Sequence, residues 1–132
     1  MTVSGNQKRK MRSAARLYAV QALFQMEQSA QTVDQVKVEF MDHRFGAIYE
    51  GNEMAEGDPS HFACVMDVAV NYQAQIDQMT DRALVAKWPI ARIDPTLRAV
   101  FRAAGAEFWD NGTPPKVVIN EYVEVVRAFF PD

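Results

Sequence analysis

Apolar residues recur at helical spacing along most of the chain, and glycines, prolines and polar clusters divide them into segments. No glycine or proline lies between Arg9 and Gly46. Met11, Ala15, Tyr18, Ala22 and Met26 share one face there, flanked by Leu17, Val20, Leu23 and Phe24, which predicts a first helix. Val33, Val36, Phe40 and, more weakly, Met41 mark a second, short helix from Val33 to Arg44, with Asp34 near its start. Gly46 to Pro59 holds Gly46, Gly51 and Gly57 among acidic residues and reads as a mobile loop carrying little chemistry. Asp58-Pro59 is an N-cap followed by proline at the first helical position, opening a long helix through Phe62, Val65, Met66, Ala69, Tyr72 and Ile76 toward Met79. A further segment, Arg82 to Lys87, ends at Trp88-Pro89, because the residue before a proline is pushed out of the helical region.

Asp94-Pro95 repeats the cap-plus-proline signal. Leu97, Val100, Phe101, Ala104 and Phe108 give the helix that follows its apolar stripe, and Asn111-Gly112 stops it; Arg98 and Arg102 fall on its other face, where solvation accounts for them. After Pro114-Pro115 the β-branched run leaves a strand open. The stripe Val118, Tyr122, Val125, Val126 and Phe129 has offsets of four, seven, eight and eleven, and decides for a helix. With no periodic strand elsewhere and no internal repeat, the expected fold class is all-α, a helical bundle.

Charge changes the picture from fold to function. The first 26 residues contain no Asp or Glu, yet they hold Lys8, Arg9, Lys10, Arg12 and Arg16. Those are five of the 14 basic residues, leaving nine against 17 acidic ones in the rest of the chain, a local balance of −8. A basic arm on an acidic body draws polyanions to one place and repels them elsewhere. Arg9, Arg12 and Arg16 recur at offsets of three and seven and share one helical stripe. Guanidinium forks meet phosphate oxygens bidentately, and their flat faces stack on unpaired bases. The same ridge would also serve as a solvated helix face or meet an acidic protein. If all five cations touched single-stranded RNA, the log-log salt slope of binding would be about −3.5.

At 132 residues, 48% hydrophobic and 23% charged, the chain suits one soluble globular unit. Its single cysteine, Cys64, excludes an internal disulfide and is expected to be buried. Arg16, Gln21, Gln25 and Glu27 interrupt the apolar residues after the basic start, so neither a signal peptide nor a membrane span is expected, and the cytoplasm is the expected location.

Three blocks carry a family resemblance: Ala19-Val20-Gln21-Ala22-Leu23-Phe24 on the basic first helix, the run from Ile93 to Arg102, and Pro115-Lys116-Val117-Val118-Ile119-Asn120-Glu121. Together they resemble the NusB family of transcription antitermination factors, over the first helix and most of the chain from Ile76 onward. The resemblance implies two small helical subdomains, residues 1–80 and 81–132. It implies binding of boxA-type single-stranded RNA from ribosomal RNA leaders together with the ribosomal protein NusE, within an RNA polymerase antitermination complex. Carried over residue by residue, the RNA contacts are Lys8, Arg9, Lys10, Arg12 and Arg16, with Gln21 a weaker candidate. The family continues into a last helix with a Lys-Phe-Val-Asn-Gly type motif, whereas this sequence ends at Pro131-Asp132. The stripe on the final helix would then lack one neighbour, which favours self-association as a homodimer or loss of order, with dimerisation or weaker RNA binding than in a longer relative as the alternative expectations.

Enzyme chemistry finds no motif. His43 and His61 stand alone without ligand spacing, no phosphate loop or nucleophile elbow is present, and neither a metal nor a cofactor is expected. Asn120, Glu121 and Glu124 resemble an acid/base group, but hydrogen bonding by Asn120 and Glu121 at the helix start accounts for them. Trp88 and Trp109 sit beside apolar helical positions and read as core or partial core rather than as base-stacking platforms. Two other readings remain: the RNA-binding front domain of a ribosomal-RNA cytosine methyltransferase, and a helical protein-binding scaffold.

Overall fold

The computed structural model describes residues 4–84, 90–110 and 112–131. Among them, six α-helices follow in order: α1 (Gly5–Gln28), α2 (Val33–Glu39), α3 (Pro59–Asn71), α4 (Gln73–Ala83), α5 (Pro95–Asp110) and α6 (Pro115–Phe129). A π-helical turn, Phe40–Arg44, prolongs α2, and a 3-10 turn, Ile90–Arg92, precedes α5. The all-α bundle expected from the periodicity is the one that forms, with one small addition. Strands β1 (Ile48–Tyr49) and β2 (Asn52–Glu53) pair antiparallel within the segment expected to be a mobile loop.

The helix starts follow from local chemistry. Ser4 accepts a hydrogen bond from the Gln7 N–H at 3.1 Å, and Thr32 and Gln35 cap one another reciprocally. Asp58 accepts from the His61 N–H at 3.0 Å and Asp94 from the Thr96 N–H at 2.7 Å, each just before a proline.

One helix departs from its expected length. The run opened by Asp58-Pro59 breaks at Tyr72 (φ −118°, ψ 24°), where no glycine or proline marks it. The Tyr72 ring instead packs on Trp109, centroids 5.2 Å apart. Arg82 and Ala83 close α4 rather than opening a new segment, and Leu84 is already extended. The rest of that expected segment, with Trp88 and the helix stop at Asn111, lies outside the described residues.

α5 is the hub, packed against α1, α3, α4 and α6. Its buried residues are Ala99, Val100, Ala103, Gly105, Ala106 and Glu107. The large apolar stripe read from the sequence is therefore mostly not the core face: Phe101 and Ala104 are half-buried and Phe108 is 40% exposed. Close helix approach explains the inversion, because small side chains let backbones near one another. A Cβ on Gly105 would overlap Ile76 Cγ2, an atom of a fully buried side chain.

The segment from Gly46 to Pro59 is held down rather than loose. Glu50 (φ 51°) and Gly51 (φ 81°) form the two-residue turn between the strands, both in the left-handed region that such tight hairpins require. Tyr18 donates its hydroxyl to the Ala55 carbonyl at 2.6 Å, and the Asp58 N–H bonds the Met11 carbonyl at 3.0 Å, so α1 anchors both ends of the segment's second half. Phe45 joins Tyr18 (4.7 Å) and Phe62 (5.1 Å) in an aromatic cluster under it.

Two further expectations are corrected. Arg98 and Arg102 are clamps rather than solvated side chains. Arg98 binds Glu27 and donates to the carbonyls of Ile90, Ala91 and Ile93, while Arg102 pairs with Asp77 at 2.9 Å and Glu27 at 3.1 Å. Cys64 is exposed, its Sγ 3.8 Å from Asp110 Oδ2. Desolvation and that carboxylate push its thiol pKa up, which makes it a poor nucleophile.

Candidate nucleic-acid interface

The first turns of α1 project from the bundle because their flanking residues are polar. Lys8, Arg9 and Lys10 are exposed and Arg12 is half-buried. None of the four is ion-paired among the described residues. Six other cations (Arg16, Lys37, Arg44, Arg98, Arg102 and Arg127) all meet carboxylates. The first turn of α1 also lacks acidic residues, so the positive end of the helix dipole adds to the side-chain charge instead of being neutralised.

Arg16 leaves the expected ridge. Its side chain is 4% exposed, and Nε donates to Glu107 Oε2 at 2.9 Å, Nη2 to Glu107 Oε1 at 3.1 Å and Nη1 to Glu121 Oε1 at 2.5 Å. Glu107 gathers four elements: besides Arg16 of α1 it accepts from Tyr122 of α6 at 2.6 Å and from Thr113 at 2.9 Å, and His61 Nε2 of α3 lies 3.0 Å from Oε1. Burial alone would push the Glu107 carboxyl up, but His61, Arg16 and Tyr122 together outweigh it and hold the pKa at about 2. The Tyr122 phenol moves the other way, well above 10, because it is buried against that carboxylate. Ser13 donates to Glu121 at 2.5 Å, completing a brace between α1 and α6.

A cleft of about 580 Å³ opens beside this brace. Arg9 and Arg12 stand on one side of it, Val117, Asn120 and Glu121 of α6 on the other. The sequence-derived candidates therefore divide. Arg9, Arg12 and Arg16 all line the cleft, Arg16 as a buried cation already held by Glu107 and Glu121, with Lys8 and Lys10 on the neighbouring turns; Gln21, five residues beyond Arg16 and half-buried, is not among the lining residues. Asn120 and His61 line the cleft too, although Asn120 reads from the sequence as a hydrogen-bonding residue at a helix start and His61 as a lone histidine without ligand spacing. The block holding Asn120 was visible, but its position opposite the basic arm depends on contacts over a hundred residues apart. Trp109, read as core or partial core, is 40% exposed and packs on Tyr72.

Residues 13–132 match the model of the NusB family. The chain belongs to the NusB family. The match takes in Arg16, Gln21, Glu107 and Glu121, but begins after Arg12, so the four unpaired cations lie ahead of it. A protein of Caulobacter vibrioides is 47% identical over 120 residues, covering 90% of this chain and 80% of the relative. One from Maricaulis maris is 43% identical over 92% of this chain and 76% of its own length, and one from Agrobacterium fabrum is 41% identical over 90% and 73%. All three are called transcription antitermination protein NusB. No solved structure matches the chain significantly. Among the described residues of this NusB-family chain there is no group of three or more metal-ligating side chains, and no helix is long and apolar enough to cross a membrane.

Proposed function

We propose that this protein is a transcription antitermination factor that binds boxA-type single-stranded RNA of ribosomal RNA leaders, together with NusE, in the RNA polymerase antitermination complex. The observation that carries this reading is the contrast between paired and unpaired cations. Lys8, Arg9, Lys10 and Arg12 have no carboxylate partner among the described residues and follow within five positions, whereas six other cations are paired and the remaining unpaired ones, Arg82, Arg92 and Lys116, are scattered singly along the chain. Unpaired cations clustered at a helix N-terminus repel one another and the helix dipole, and phosphate oxygens relieve both effects. The names of the relatives support the same role. In this reading Arg16 does not touch RNA; it fixes α1 against α5 and α6 so that the arm keeps its direction.

The test is fluorescence anisotropy of a boxA-like RNA and a scrambled control, with and without NusE. Preference for boxA, tightened by NusE and lost in the Arg9→Ala, Arg12→Ala double variant, supports the reading. Absence of RNA binding at low salt with NusE present overturns it and favours a protein-binding scaffold.

A further inference from the structure

Asn120 and Glu121 face the basic arm across the cleft, and phosphate binding alone gives them no task. The cleft's volume, about 580 Å³, falls within the range of small-ligand pockets. Its charge is divided. Arg9 and Arg12 lie on one wall, Arg16 lines the cleft with its guanidinium already taken by Glu107 and Glu121, and the opposite wall carries the Glu121 carboxylate, whose side chain is 26% exposed. Oε1 of Glu121 is taken by Ser13 and Arg16; Oε2 accepts no hydrogen bond among the described residues. Asn120 is exposed and has no hydrogen-bond partner among them. Val117, 41% exposed, and Pro114 add apolar surface between.

A phosphate is drawn to the arginine wall and repelled from the Glu121 wall. A nucleobase suits the remainder: its faces are apolar and flat, and the amino group of cytosine, adenine or guanine donates to a carboxylate. Building on the RNA-binding reading above, we propose that the cleft seats one unstacked RNA base, its exocyclic amino group donating one hydrogen to Glu121 and the other to the side-chain carbonyl of Asn120, with the adjoining phosphate on Arg9 and Arg12. The site then disfavours uracil, which offers a single N3–H donor flanked by two carbonyl oxygens in place of an exocyclic amino group. Only a single strand can present a base in this way.

The test uses the full chain and a boxA-like RNA in which each amino-bearing base is replaced in turn by its counterpart without the amino group: uridine for cytidine, inosine for guanosine, purine riboside for adenosine. The expected result is one position where replacement weakens binding about tenfold, falling to about threefold or less in Asn120→Ala. That variant removes no charge, so its salt slope stays at the wild-type value. If RNA binds with the expected salt slope but no position responds, or if Asn120→Ala discriminates as the wild type does, the base-reading cleft is wrong while the RNA-binding reading survives. If no RNA binds at all, both are wrong.

Discussion

Arg12 and Arg16 lie one turn apart on the same helix and both line the cleft, yet Arg12 has no carboxylate partner among the described residues and Arg16 is enclosed by two. Their variants should therefore fail differently. Arg16→Ala leaves Glu107 buried without its main partner and is expected to destabilise the protein by about 3–5 kcal/mol in denaturant unfolding. Arg12→Ala should stay within about 0.5 kcal/mol of the wild type, because it breaks no ion pair. Equal stability of the two variants would contradict the assignment. The Glu107 carboxyl also makes stability depend on acid. Its folded value near 2 lies below the ordinary 4.5, so the unfolded chain binds more protons in that interval and stability drops as pH falls through it. About 3 kcal/mol is present above pH 4.5, and most of it is gone by pH 3. Glu27 and Glu39, also held low by their partners, act in the same direction. An unfolding midpoint unchanged between pH 7 and pH 3 would refute this. None of it was legible at the level of single residues. The basic stripe was correct as a periodicity, but Arg16's partners lie 91 and 105 residues away, and only the fold decides which member of a stripe turns inward.

Elements were legible wherever a local signal set them. The Asp58-Pro59 and Asp94-Pro95 caps mark the starts of α3 and α5, and the stripe on α6 separates helix from strand correctly. Failures came where packing chose against local pattern. Hydrophobic periodicity points to the bulkiest apolar face, whereas α5 turns its smallest face to the core because neighbours approach from several sides. Gly105 tests that explanation. Helix propensity alone favours alanine there by about 1 kcal/mol, but a methyl group would collide with the stiff, buried Ile76 side chain, an overpacking cost of about 1–3 kcal/mol. Gly105→Ala is expected to lower the melting temperature, and trimming the neighbour with Ile76→Val should recover part of the loss. A raised melting temperature in the single variant would show that the α4–α5 approach is looser. The hairpin was missed because its two-residue strands are too short for alternation to register. Its anchors, Tyr18 to Ala55 and Asp58 to Met11, are contacts with a distant helix.

Across the whole molecule, charge is sorted rather than merely unbalanced. Among the described residues carboxylates tie down six cations, three others (Arg82, Arg92 and Lys116) stand singly, and α1 gathers four unpaired ones beside a cleft. The asymmetry was visible in the sequence before any fold was known; what the fold changed is the number of cations at the surface. With Arg16 enclosed, four contacts replace five, and the expected log-log salt slope for single-stranded RNA moves from about −3.5 to about −2.8. Binding should then weaken about fiftyfold between about 50 and 200 mM salt. The most direct test of the central claim is that slope, measured on a boxA-like RNA for the wild type and for the Arg9→Ala, Arg12→Ala double variant. The account predicts about −2.8 for the wild type and about −1.4 for the variant. Identical slopes for the two proteins would show that the first turns of α1 are not where RNA binds.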